Sequence, residues 1–248
     1  MIKNMRSISS FVLLFLALQA GAQVFVESGP VGTSRDGQIS VYGLNGANSR
    51  IPYYKFKGSP FLNPDWLKAE LYRPDGKPMG IFPVRLNLVT HEVHFLDSKG
   101  YELAANDGIV SRVTFIDSLS DGKPRRTFRN DYEGVSATYN RNKRYAEELN
   151  PSDPCLLRVD IRDGREADSM FGTLKRYYFA DRFDYFVRVG KRVEKVRRLS
   201  QEEIFALLPA KQDAVDFVKK NKLNMKREED VVRLFDYLAS VKLSSPNQ

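Results

Sequence analysis

From Ile51 to about Leu199 apolar and polar residues alternate with a period of two, the pattern of strands with one buried face. In "LKAELY", Leu67, Ala69 and Leu71 alternate with Lys68, Glu70 and Tyr72. The run meets Arg73-Pro74-Asp75-Gly76, where proline presets φ near −65° and glycine tolerates a positive φ. "VRLNL" alternates again from Val84 to Leu88, so the two runs predict a hairpin. "EVHFL" and "YELAA" flank Asp97-Ser98-Lys99-Gly100 and predict a second hairpin with a four-residue loop. "SRVTFID" ends in a polar turn centred on Asp121-Gly122. "FDYFVRV" meets "RVEKVRR" across Gly190-Lys191, with glycine where a type II′ turn places it. Consecutive strands joined by short loops are antiparallel neighbours. "KRYAEEL" (143–149) fits either a helical turn or a strand, and the strand is preferred.

At Ser200 the period changes to 3.6. Ser200-Gln201-Glu202-Glu203 is a capping box, in which serine and glutamate satisfy each other's free backbone N–H groups. The helix it opens buries Ile204, Phe205, Leu207 and Leu208 and stops at Pro209. A second helix spans 210–221. A third starts near Lys226, with Glu228, Glu229 and Asp230 complementing the helix dipole in its first turn. Its apolar stripe is Val231, Leu234, Phe235, Leu238 and Val241. Helices this short need a docking surface. The expected architecture is α+β: a mostly antiparallel sheet, sandwich or partial barrel, over 51–199, and helices docked on it over 200–243.

The N-terminal region changes the picture from cytoplasmic to exported. Lys3 and Arg6 precede an unbroken apolar run, Phe11–Leu18, that is too short for a span of ~20 residues. Ala20-Gly21-Ala22 then forms a small-x-small cleavage pattern, so residues 1–22 are expected to be a signal peptide. Residues 23–50 are rich in Gly, Ser and Asn and read as a loosely ordered lead-in, with one short strand at Ile39–Tyr42. No later stretch is long and apolar enough for a second span, so a soluble exported protein is expected, in the periplasm, the cell envelope or the medium. The leader holds two of the 39 Lys and Arg and none of the 31 Asp and Glu, leaving +6 on the mature chain. That excess favours anionic partners. Cys155 is the only cysteine, so no internal disulfide can form. Its setting in "PCLLRVDI" reads as a strand, with the thiol as a small buried hydrophobe.

"YKFKGSPFLNPDW" followed by "PVRLNLVTHEVHF", between Tyr54 and Phe95, resembles a family of exported, functionally uncharacterised Bacteroidota proteins. That family shows a basic-Gly-Ser-Pro-aromatic-Leu stretch, a nearby aromatic, a Gly turn and a "PLRYN"-like strand. "FVKKNKLNMKREEDVVRLFDYL" is similar to the family's C-terminal end. The resemblance implies an exported envelope protein and names no active site. Where the family carries Asp-Glu this chain has His91-Glu92, which makes His91 look like a variable turn residue.

Four stretches are candidates for chemistry. "THEVHF" holds both histidines of the chain. Zinc proteases place His-Glu-x-x-His on a helix, and this spacing is one residue short. On a strand His91 and His94 face opposite ways, ~10 Å apart at ~3.3 Å per residue. His91 is therefore expected at a turn, and His94 on the face opposite Val93 and Phe95, with no metal site. Asp160, Asp163, Glu166 and Asp168 lie in "VDIRDGREAD", read as a strand running into a solvated Asp-Gly turn rather than a glycosidase pair. The segment 174–198 interleaves aromatic and basic residues. Arg188, Arg192, Lys195 and Arg197 with Tyr185 are its candidate binding surface, against the alternative that the aromatics are core and the cations a wet face. In "GSPFLNPDW" the prolines constrain a loop carrying Phe61 and Trp66, which either present themselves to a partner or pack on the sheet. No phosphate-loop, dinucleotide or nucleophile-elbow motif occurs, so no cofactor is expected.

The sequence thus points to a non-catalytic exported binding or structural protein with a basic-aromatic surface. Its expected partners are anionic envelope components, lipid headgroups or acidic glycans, or another envelope protein, with nucleic acid disfavoured by export. The alternative is a hydrolase whose carboxylates assemble only in the fold.

Overall fold

The computed structural model describes residues 26–27, 38–42, 48–119, 122, 125–168, 175–209 and 211–244. The expected signal peptide and most of the lead-in lie outside the described residues, as does Asp121. The strands open with β1 (Val26–Glu27), β2 (Gln38–Tyr42) and β3 (Asn48–Pro52). A 3₁₀ turn (Tyr53–Lys55) leads into β4 (Phe56–Lys57). Then come β5 (Leu67–Tyr72), β6 (Pro78–Leu86), β7 (Val93–Leu96), β8 (Glu102–Ala105), β9 (Arg112–Phe115) and β10 (Thr127–Arg129). Helix α1 (Glu133–Thr138) precedes β11 (Ala146–Glu148), β12 (Cys155–Asp168), β13 (Lys175–Val189) and β14 (Arg192–Val196). Helices α2 (Gln201–Leu207), α3 (Lys211–Asn221) and α4 (Glu228–Ser244) close the chain.

The fold is α+β and β-rich. One sheet runs in the order β1-β8-β7-β6-β5-β9-β10-β11-β12-β13-β14, and β4 joins β13 in the sheet's one parallel pairing among the described residues. β2 and β3 form a separate antiparallel pair. Both predicted hairpins stand, with Gly76 (φ 80°) and Gly100 (φ 82°) in their turns. Gly190 (φ 59°) connects β13 to β14. β6 starts earlier than its alternation indicates and passes through Pro83. β7 pairs only with Val84–Leu86, so Pro83 sits where β6 is an edge on that side and its missing N–H costs nothing.

Two expectations need correction. Asp163-Gly164 is no turn: β12 continues to Asp168 and pairs with β13 over its whole length, Asp163 opposite Ala180 and Gly164 opposite Phe179. Ion pairs from Arg182 to Asp163 (2.7 Å) and from Lys175 to Glu166 (2.9 Å) hold this charged ribbon extended. The capping box is half made. Ser200 Oγ accepts the Glu203 N–H at 3.3 Å, but the Glu203 carboxylate accepts the Arg197 N–H at 2.8 Å, not that of Ser200.

Alternation in the central strands puts a core on each face. Leu156, Val187 and Val196 pack under Ile204, Val218, Leu234 and Phe235 of the C-terminal helices. The next residues along, Cys155, Leu157, Val159 and Phe186, pack with Tyr132 and Val135 beside α1. A third cluster gathers one face of β5, β6, β7, β9 and β10, with Phe115 edge-on to Phe128. No helix among the described residues is long and apolar enough to cross a membrane.

Candidate functional site

The two histidines face different surroundings. His91 sits in a turn at φ 59°, a conformation few side chains adopt. Its Nδ1 accepts the N–H of Tyr145 at 3.1 Å, so a neutral ring carries its hydrogen on Nε2. Burial, then the charges of Arg144 and Arg182, push this imidazole well below the ordinary histidine value of 6.5. His94 lies between Val93 and Phe95 in β7 and is 2% exposed. Those neighbours belong to the first-half core, and His94 points the other way, edge-on to Phe61 at 5.1 Å.

There Glu102 Oε1 accepts from His94 Nδ1 and from Arg85 Nη2, each at 2.8 Å. Burial alone would raise the Glu102 carboxyl, but hydrogen bonds from His94 and Arg85 outweigh it and hold it below the usual range. The Arg85 guanidinium is sandwiched between the rings of Phe61 (4.1 Å) and Trp66 (4.0 Å). Phe61 and Trp66 therefore act as a cover over a buried charge cluster. Phe61 is only 5% exposed, which removes it as a presented aromatic. A carboxylate does meet a histidine here, but beneath a ring rather than in a cleft. Among the described residues no group of three or more His, Cys, Asp or Glu side chains is placed to hold a metal.

The remaining candidates are engaged. Cys155 is fully buried, its thiol donates to the Asn150 carbonyl at 2.8 Å, and burial pushes its pKa up to about 11. Burial also raises Asp160, against the opposing charge of Arg158 3.0 Å away. Along β13 and β14, Arg188 donates to the Ser152 carbonyl (2.9 Å), Arg192 pairs with Glu194, and Lys195 pairs with Asp184 (3.0 Å). Arg197 reaches Glu203 at 3.6 Å, and the Tyr185 hydroxyl donates to Glu228 at 2.9 Å. These cations carry local counter-charges, which shrinks the field they present.

Unbalanced charge gathers at the other end of the same strand. The parallel pairing of β4 with β13 sets Phe56 opposite Tyr177 and Lys57 opposite Tyr178. Phe56 stacks on Phe179 at 4.8 Å and lies 5.6 Å from Tyr177. The result is a groove of about 620 Å³ lined by Lys55, Phe56, Lys57, Ala167, Lys175, Arg176, Tyr177 and Tyr178. Its walls are largely apolar and Tyr178 is 41% exposed. Among the described residues Lys55, Lys57 and Arg176 make no ion pair, and Lys175 is held by Glu166. Lys175, Arg176, Tyr177 and Tyr178 belong to the basic-aromatic segment 174–198, whereas Lys55 and Lys57 lie outside it. The signal for these two is the Lys-Phe-Lys alternation of "YKFKG", which sets two cations on either side of an aromatic. Comparison with protein-family models, with curated proteins and with solved structures yields no match.

Proposed function

We propose that this chain is a non-catalytic exported binding protein that docks on anionic lipid headgroups through the groove between β4 and β13. The observation that carries this reading is that Lys55, Lys57 and Arg176, which make no ion pair among the described residues, ring the aromatic walls of this groove. Lysine stems lie along apolar surface while their ammonium ends reach phosphate, and tyrosine suits the same boundary. Each Lys or Arg near an anionic bilayer contributes about 1 kcal/mol, so the three cations supply about 3 kcal/mol and burial of the aromatic walls must add the rest. A polar glycan fits less well, because the walls offer few hydrogen-bonding groups between the cations. Export is read from the leader pattern of residues 1–22 and would bring the protein beside such lipids. The hydrolase alternative would need the Glu102–His94 pair opened to substrate from beneath Phe61.

Co-flotation with vesicles tests the reading. The mature protein should float with phosphatidylglycerol-containing vesicles and not with purely zwitterionic ones, and added salt should release it. Equal flotation with both compositions, or binding only to acidic polysaccharide, would overturn it.

A further inference from the structure

A second cluster of unpaired cations lies far along the chain from the groove. A cleft of about 580 Å³ opens between the turn after β8 (105–110) and the segment before β11 (141–145), with His91 in its wall. Arg141, Lys143 and Arg144 line it, and among the described residues none of the three forms an ion pair. Arg144 is partly buried. One of its Nη atoms donates to the Val89 carbonyl at 3.3 Å, and its Nε–H is sealed from solvent with no acceptor. The Nε2 of His91 is likewise buried without a partner. Because Nδ1 of that ring accepts from Tyr145, the orphan Nε2 carries a hydrogen and is a donor.

The cleft therefore gathers more positive charge than negative, and two unpaired donors, Arg144 Nε and His91 Nε2, against one unpaired buried acceptor, Asn130 Oδ1. An arginine partly withdrawn from water without a counter-anion is costly, and so is a buried donor left unpaired. Two carboxylates share the cleft walls. Glu92 already accepts from the Thr90 hydroxyl at 2.8 Å, and Asp107 is exposed on the opposite turn. Neither pairs with the three cations.

We infer that this cleft is a binding site for a small oxyanion, a phosphate or carboxylate group, held by Arg144 with Arg141 and Lys143 at its rim and His91 behind it. Arginine presents a planar fork of donors that matches either anion in bidentate fashion, and the lysine adds a point charge. The site is distinct from the lipid groove, shares no residue with it, and stands or falls independently of it.

Ring-nitrogen NMR reads the site directly, since the chain has only two histidines and His91→Asn identifies the signal that belongs to His91. Inorganic phosphate and D-glucuronate, titrated separately, distinguish the two sources of the oxyanion. At least one should shift the His91 ring signal saturably, and Arg144→Gln should weaken that binding by roughly tenfold or more, the worth of a charge-assisted hydrogen bond. The double variant Arg141→Gln, Lys143→Gln, changed only at exposed rim positions, should also raise the midpoint; it serves if Arg144→Gln fails to fold. No saturable shift with either anion, or an unchanged midpoint in the variants, would overturn the inference. Charge reversal at Lys55 and Lys57 should leave the midpoint unaltered.

Discussion

At the scale of single residues, His91 couples folding to pH. Its folded imidazole titrates well below 6.5, so between that value and the folded pKa the unfolded chain binds more protons than the folded one. This contribution to stability is fully present above pH 6.5 and is lost as the pH falls through that window. Asparagine tolerates positive φ and does not titrate, so His91→Asn should remove the dependence. The wild-type melting temperature should fall more steeply than the variant's between about pH 7 and pH 5.5; parallel curves would contradict the assignment. Gly134, the second residue of α1, presses on β14: a Cβ there would lie 2.1 Å from the Val193 carbonyl oxygen. Gly134→Ala should destabilise the fold by roughly 3 kcal/mol, the upper range for overpacking, because the clash is with backbone that cannot rotate away. A urea midpoint equal to wild type would show that α1 gives way without loss. The strand placement of His94 was legible, since odd spacing in a period-two run fixes opposite faces. Its partners were not: Glu102 comes from the next strand, and Arg85 from the strand on the other side, and only register brings them to one point.

At the scale of elements, the hairpins were legible wherever alternation and turn chemistry agreed, as at Arg73–Gly76 and Asp97–Gly100. The Asp163–Gly164 turn failed because an Asp-Gly dipeptide is a local signal, whereas strand pairing with β13 and cross-strand ion pairs are longer-range and stronger here. Helix α1 left no clear pattern because it is six residues long with no side-chain cap, so packing rather than propensity forms it. Helix α4 shows what ties the helical layer to the sheet. Glu228 in its first turn accepts from Arg158 of β12 at 3.0 Å and from the Tyr185 hydroxyl of β13 at 2.9 Å. Glu228→Ala should cost about 2 kcal/mol, the range for hydrogen bonds to a charged group, seen as a lower urea midpoint at unchanged slope. A change in slope instead would mean that α4 unfolds separately from the sheet.

At the scale of the whole molecule, the excess positive charge is not evenly spread. Cations along the β13–β14 hairpin are matched by Asp184, Glu194 and Glu203, while Lys55, Lys57 and Arg176 at the β4–β13 groove and Arg141, Lys143 and Arg144 at the His91 cleft make no ion pair among the described residues. Net charge and the basic-aromatic segment were visible in the sequence. Which cations have counter-charges was not, because ion pairing follows from strand register, and Lys55 and Lys57 reach Tyr177 and Tyr178 only through a parallel contact between distant parts of the chain. The most direct measurement compares two charge reversals on phosphatidylglycerol vesicles. One carries Lys55→Glu, Lys57→Glu and Arg176→Glu in the groove, and the other Arg192→Glu and Arg197→Glu in the paired hairpin. The groove variant should lose flotation while the hairpin variant retains most of it; undiminished flotation of the groove variant would contradict the account.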